Sequence, residues 1–169
     1  MTTIQQFRDP ILVNDGTVVG FYEREFYVFS NFSSFQVDWR GRVWPTSEHA
    51  YQAARYMGVA DDLVERVGQT RSAHEAWELG TKENKSRQLP DWHNIKIETM
   101  YDICRAKLLQ NPYVEKKLRL TNNEYLVEDS PVDSFWGWGE DRQGRNELGK
   151  VWMKLREELR HGTVRGRRA

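Results

Sequence analysis

Glu48 stands in the segment Trp44-Pro45-Thr46-Ser47-Glu48-His49-Ala50-Tyr51-Gln52, in the first turn of an expected helix. A helix start favours a carboxylate, because the dipole and the free N–H groups there attract negative charge. Tyr51 and Gln52 follow by three and four residues on the same face, and Trp44 precedes. That spacing puts a carboxylate inside an aromatic, amide-lined wall, where it can stabilise positive charge or move a proton. Burial would raise its pKa and the helix end would lower it, which leaves its protonation state open. His49 belongs to no His-Glu-x-x-His arrangement, so a metalloprotease is excluded and the imidazole reads as packed or hydrogen-bonded.

Two further segments carry candidate chemistry. Glu128, Asp129 and Asp133 flank a turn that runs into Phe135-Trp136-Gly137-Trp138-Gly139, and Asn146-Glu147-Leu148-Gly149 follows. Glycine lets a backbone approach a ligand, tryptophan offers a stacking face and aspartate offers charge. The spacing matches neither a phosphate-binding Walker loop nor a dinucleotide fingerprint. Ser30-Asn31-Phe32 comes just after an expected strand. Each segment has a plain reading too: a turn at Asn31, a helix start at Glu48, a rigid loop closing on the last helix.

The elements that hold these residues follow from periodicity. Residues 17–22 and Tyr27-Val28-Phe29 read as strands. Phe35, Val37 and Trp39 alternate with polar residues and turn at Arg40-Gly41-Arg42 into Val43-Trp44, a hairpin. From Pro45 the pattern is helical. Thr46 or Ser47 caps a helix that runs to about Met57 and ends at Gly58, and Asp61 to Val67 forms a short one. Ser72-Ala73-His74-Glu75 opens a helix ending near Gly80. Ile97, Met100 or Tyr101, Cys104 and Leu108 place a helix over about 95–110, and Pro112 opens another through Leu118. Tyr125 to Glu128 reads as a strand and Ser130 to Gly144 as a glycine-rich loop. Asn146 caps a last helix with Leu148, Val151, Trp152, Leu155 and Leu159 on one face. Cys104 and Trp152 fall on the buried stripes. Trp92, Trp136 and Trp138 fall in expected loops, where they can wall a planar ligand.

Composition narrows the function. The 169 residues hold 25 Lys+Arg, 25 Asp+Glu, seven Trp and one Cys, enough chain for one domain with its own core. A lone Cys104 excludes an internal disulfide, and four histidines argue against a Cys/His zinc cluster; no metal or cofactor is expected. No apolar run approaches a membrane span, and Met1 to Gln6 show no signal-peptide pattern, so a cytoplasmic protein is the expectation. Arg160, Arg165, Arg167 and Arg168 stand in an acid-free tail, which leaves a mildly acidic body. Such a body argues against broad binding to nucleic-acid backbone.

In order along the chain, Ser30-Asn31-Phe32, Ser47-Glu48-His49-Ala50-Tyr51-Gln52-Ala53, Asp91-Trp92, Arg105-Ala106-Lys107-Leu108, Leu126-Val127-Glu128, Asp133, Trp136-Gly137 and Asn146-Glu147-Leu148-Gly149 resemble the NADAR family, also called YbiA-like N-glycosidases. The resemblance covers about residues 20–160. It implies an α+β fold: a mainly helical single domain over 1–169, with a small N-terminal antiparallel β region, a buried pocket and a basic tail at 161–169. It also implies hydrolysis of the N-glycosidic bond between a ribose and a nitrogen base. The substrate would be a phosphoribosylamino-pyrimidine of riboflavin synthesis or an ADP-ribosylated guanine. Glu48 and Asp133 would be the two carboxylates. Trp44, Trp92 and Trp136 would wall the pocket with Phe32, Gln52 and Gly137. Ser30, Asn31 and Asn146 would meet ribose hydroxyls or phosphate, and Arg55, Arg87 or Lys107 the phosphate. Two departures matter. Arg55 stands where the family usually has Lys, so no Schiff-base amine is available there. Where the family often has Leu-Arg-Pro-Asp-Trp, Gln88-Leu89-Pro90-Asp91-Trp92 stands here, with Arg87 two places before the position of that arginine. The rival reading is a non-catalytic module that binds ADP-ribose or a nucleotide; a purely structural role leaves Glu48, Trp92 and Trp136 unexplained.

Overall fold

A computed structural model describes residues 11–13, 16–22, 24–83 and 85–164, so the Met1–Gln6 segment and three of the four tail arginines lie outside the described residues. The chain order is β1 (Ile11–Val13), β2 (Gly16–Phe21), β3 (Val37–Trp39), β4 (Arg42–Trp44), α1 (Ser47–Ala54), α2 (Asp61–Gln69), α3 (Ala73–Glu78), α4 (Trp92–Gln110), α5 (Pro112–Leu120), β5 (Tyr125–Glu128) and α6 (Glu147–Arg160). A 3₁₀ turn spans Arg24–Phe29, a π-helical turn Leu79–Glu83 and a second 3₁₀ turn Lys85–Arg87. The fold is α+β and mainly helical, as the sequence implied. The chain divides into two compact units, residues 1–30 with 111–169, and residues 31–110.

The first unit holds a three-stranded sheet of order β1-β2-β5. β1 and β2 are antiparallel, whereas β5 joins β2 in parallel with Val19 opposite Leu126. The sheet is therefore mixed, and its third strand arrives from late in the chain. α6 lies against β5 and buries Leu148, Val151, Trp152 and Leu155. The Trp152 ring packs 5.1 Å from that of Phe29, and its indole N–H donates to the Phe29 carbonyl at 2.9 Å. Gly149 is the close-approach point: a Cβ there would sit 2.2 Å from the Leu126 carbonyl oxygen. The segment Tyr27-Val28-Phe29, expected as a strand, is instead 3₁₀. Phe26 and Phe29, three residues apart, both turn inward with their rings stacked at 6.1 Å, a spacing that suits a three-residue turn and not a two-residue pleat.

The second unit, residues 31–110, holds the hairpin β3-β4 and helices α1 to α4. Arg40 and Gly41 both take positive φ (50° and 77°), the two-residue hairpin turn that matches strand twist. α1 packs on α2, α3 and α4, and all eight of its residues are buried. It ends at Ala54, and turns carry the chain to Gly58 at φ 83°. Ser72 caps α3 by accepting from Glu75 N, as expected, but the chain then widens into the π turn and runs on past Gly80. α4 starts at Trp92, three residues before the periodicity indicated. Trp92 N reaches the Leu89 carbonyl and Asn94 N the Asp91 carbonyl, and these turn bonds lead straight into the helix. Trp92 is therefore a buried helix-start residue and not a loop residue.

Candidate active site

The best-supported site is built around α1, and its sequence is the reason. A helix buried on every side is normally apolar. Ser-Glu-His-Ala-Tyr-Gln-Ala-Ala brings Ser47, Glu48, His49 and Gln52 into the interior, where buried polar groups call for partners. Thr46 is the N-cap, its hydroxyl oxygen accepting from His49 N at 3.3 Å. Glu48 N donates to the Asn31 carbonyl at 3.1 Å. The Glu48 carboxylate is 5% exposed and receives Gln52 Nε2 at 2.7 Å, one helical turn away. Gly80 makes room for this pair, because a Cβ there would come within 2.2 Å of Gln52 Oε1.

The segment after Asn31 ties α1 to α4. Asn31 Nδ2 donates to Met100 Sδ at 3.1 Å, and two turns further along α4 Lys107 Nζ donates to Ser33 Oγ at 2.7 Å. Lys107 is fully buried and 5.3 Å from the Phe35 ring. Burial pushes its ammonium down to about 7, with a small opposing pull from Cys104 one turn back. A lysine in this state offers a neutral amine to a large fraction of molecules at neutral pH. Phe32 is half-buried on the same segment.

Arg55, at the end of α1, donates from Nη1 to the Gly80 carbonyl at 3.2 Å and lies 5.4 Å from the Trp92 ring and 5.9 Å from the Tyr51 ring. The Tyr51 and Trp92 rings are themselves 5.1 Å apart. Four buried polar atoms gather on α1 and its approach: Asn31 Oδ1, Ser47 Oγ, Gln52 Oε1 and Arg55 Nε have no hydrogen-bond partner among the described residues. Each such atom costs about 1–3 kcal/mol.

Other candidates have different surroundings. Trp44 is buried with its indole N–H on the Trp39 carbonyl at 3.1 Å and the Arg42 guanidinium 4.7 Å over its ring, so it consolidates the hairpin. Arg87 is exposed and forms a two-point pair with Asp62 at 2.6 and 2.9 Å, which holds the Asp62 carboxyl below the usual range. In the first unit, Ser30 N donates to the Tyr27 carbonyl and ends the 3₁₀ turn. Asp133 Oδ1 accepts from Phe135 N at 2.8 Å and Trp136 N at 2.7 Å, a loop-building use of a carboxylate. The half-buried Trp136 ring meets Phe135 edge-on at 4.9 Å. The Gly137 carbonyl accepts from Asn146 N. Asn146 does not cap α6 with its side chain: it sits in the left-handed region, donates to the Leu126 carbonyl and accepts from Glu128 N. The Phe135 and Trp136 carbonyls accept from Glu147 N and Leu148 N instead, so backbone replaces the expected side-chain cap.

Ser33, the hydrogen-bond partner of Lys107, stands outside the candidates that the sequence points to. The sequence reading placed Lys107 on a phosphate, although the signal for burial was present: position 107 lies three residues after Cys104 and seven after Met100, on the apolar stripe of α4.

A family model described as the NADAR domain matches residues 20–160 and runs through both units. The chain belongs to the NADAR family. This NADAR chain is 38% identical over 135 residues to N-glycosidase Npun_R5314 of Nostoc punctiforme, a match covering 79% of this chain and 85% of that protein. It is 41% identical over 130 residues to riboflavin biosynthesis protein VVA0006 of Vibrio vulnificus, covering 77% of this chain but 35% of that protein. The NADAR chain thus spans about a third of the length of that relative. The solution NMR structure of Escherichia coli YbiA superposes with a TM-score of 0.79 at 28% identity, covering 98% of each chain. Among the described residues, no helix of the NADAR chain is long and apolar enough to cross a membrane, and no group of three or more His, Cys, Asp or Glu could hold a metal ion.

Proposed function

We propose that this NADAR chain is an N-glycosidase that releases a base from a ribose joined to an exocyclic amine, with Lys107 as the covalent amine and Glu48 as the proton carrier. The observation that carries the proposal is the fully buried Lys107 on Ser33, two residues from Asn31, whose carbonyl accepts from Glu48 N. Burial holds its amine near neutrality, the state a Schiff-base lysine requires. In this reading Lys107, on α4, takes the role that Arg55 cannot fill.

A ribosylamine opens when O4′ leaves C1′ as a hydroxyl, taking a proton from the Glu48 carboxyl; an iminium remains at C1′. The Lys107 amine adds to C1′ and passes one proton to the base nitrogen, which departs as a free amine. Water then adds to the lysine iminium, releasing the sugar and the Lys107 amine, and the surplus proton returns to Glu48. Gln52, by donating to Glu48, fixes the direction of that carboxylate. Arg55, framed by Tyr51 and Trp92, is the phosphate contact we favour, since its fork suits phosphate oxygens.

The names of the Nostoc and Vibrio relatives support an N-glycosidase of riboflavin-pathway ribosylamines. ADP-ribosylated guanine, free or in nucleic acid, fits the same chemistry because its ribose is also held by an amine. A phosphorylated substrate of either kind suits a cytoplasmic enzyme. The test incubates the protein with both substrates and adds borohydride during turnover. Release of base, with a reduced sugar adduct on the peptide bearing Lys107, is the expected result. Tight binding without release would favour the nucleotide-binding module.

A further inference from the structure

We propose that His49 is a positioning residue for Glu48, a role that rests on the reading of Glu48 given above. The imidazole is 1% exposed and links two helices: Nδ1 lies 2.8 Å from Thr46 Oγ1, and Nε2 lies 3.3 Å from the Thr70 carbonyl at the end of α2. A carbonyl only accepts, so Nε2 carries a proton; burial disfavours a second one on the ring, which leaves Nδ1 a lone pair. The Thr46 hydroxyl must then donate to Nδ1, and its oxygen is left facing His49 N, which it caps at 3.3 Å. One neutral ring therefore fixes the rotamer of the threonine that begins α1 and anchors the same turn to α2.

Glu48 lies between Thr46 and His49, next to Ser47. Its N–H is held by the Asn31 carbonyl on one side, and the turn is held by His49 and Thr70 on the other. A carboxyl that gives its proton to O4′ is sensitive to displacements well below an ångström, so the second anchor matters to rate. Glu75 on α3, itself paired with Arg71, acts on the ring through its charge. It lies outside the chain of bonds that sets the Thr46 hydroxyl.

The two ring nitrogens can be tested separately. Asparagine places an acceptor where Nδ1 stands, and glutamine places a donor where Nε2 stands. Measured at pH 8, His49→Asn is expected to keep kcat within about threefold of the parent, whereas His49→Gln and Thr46→Val lose about tenfold with KM within twofold. Thr46→Ser, which keeps the hydroxyl, should track the parent. Thermal melts of each variant show whether the fold is retained. Equal kcat losses in His49→Asn and His49→Gln, or full kcat in His49→Gln, would overturn the proposal. An inactive Glu48→Gln beside a fully active His49→Gln removes only the role of His49; a fully active Glu48→Gln removes the reading of Glu48 itself.

Discussion

At the scale of single residues, Lys107 and Glu48 make opposite predictions about stability and turnover. Lys107 holds a depressed pKa inside the protein, so between about 7 and its ordinary value near 10.5 the unfolded chain binds the extra proton. Its burial therefore weakens the fold at neutral pH, and the penalty fades as pH rises toward 10. Lys107→Met, similar in length and apolar, should raise Tm through a gain on the order of a few kcal/mol near pH 7 while abolishing turnover. Melts of the two proteins from pH 6 to 9 should converge as pH rises; a variant that melts below the parent at pH 6 would contradict a strained buried amine. Activity of the parent should climb through about pH 7 as the amine loses its proton. Glu48→Gln keeps the shape and the neighbours of the carboxylate but carries no transferable proton. Its turnover is expected to fall at least about tenfold without a change in the far-UV circular dichroism spectrum.

Among the elements, α1 and β5 show where sequence patterns suffice and where they fail. The hairpin, α2, α5, β5 and α6 follow from alternation, from Pro112 and from apolar stripes, all of which are local. The 3₁₀ turn at Arg24–Phe29 and the early start of α4 escape such a reading because tertiary packing of Phe29 and Trp92 decides them. The site itself was half legible. Glu48, Gln52 and Arg55 stand out by helical spacing, whereas Ser33 meets Lys107 across 74 positions and no periodicity links them. Asn146 reads as a cap and turns out to be a clamp between α6 and β5, with both ends of its amide on strand backbone. Asn146→Ala leaves buried backbone groups on β5 without that partner, and urea unfolding should report a loss of about 2–4 kcal/mol. Gly149→Ala drives a methyl into the Leu126 carbonyl and should cost about 3 kcal/mol in the same assay. Both residues belong to the first unit, and kcat per folded molecule is expected to hold.

For the whole molecule, the seven tryptophans and the balanced charge take on definite roles. Trp39, Trp44, Trp92 and Trp152 are interior, and Trp92 also borders Arg55. A neutral protein without a basic body depends on local recognition, so raising ionic strength from 50 to 200 mM should alter KM for a small phosphorylated ribosylamine by less than about threefold. A drop of two orders of magnitude would point to an extended polyanion. The chain order adds a temporal side to the architecture. Residues 31–110 are contiguous, whereas the β2–β5 ladder joins Val19 to Leu126 across the whole of that stretch. Contacts of short sequence separation close quickly and distant ones slowly, and chains grow from the N-terminus. During synthesis, residues 31–110 emerge from the ribosome ahead of the strand that completes the sheet, so this unit can take shape while β5 and α6 of the other have still to emerge.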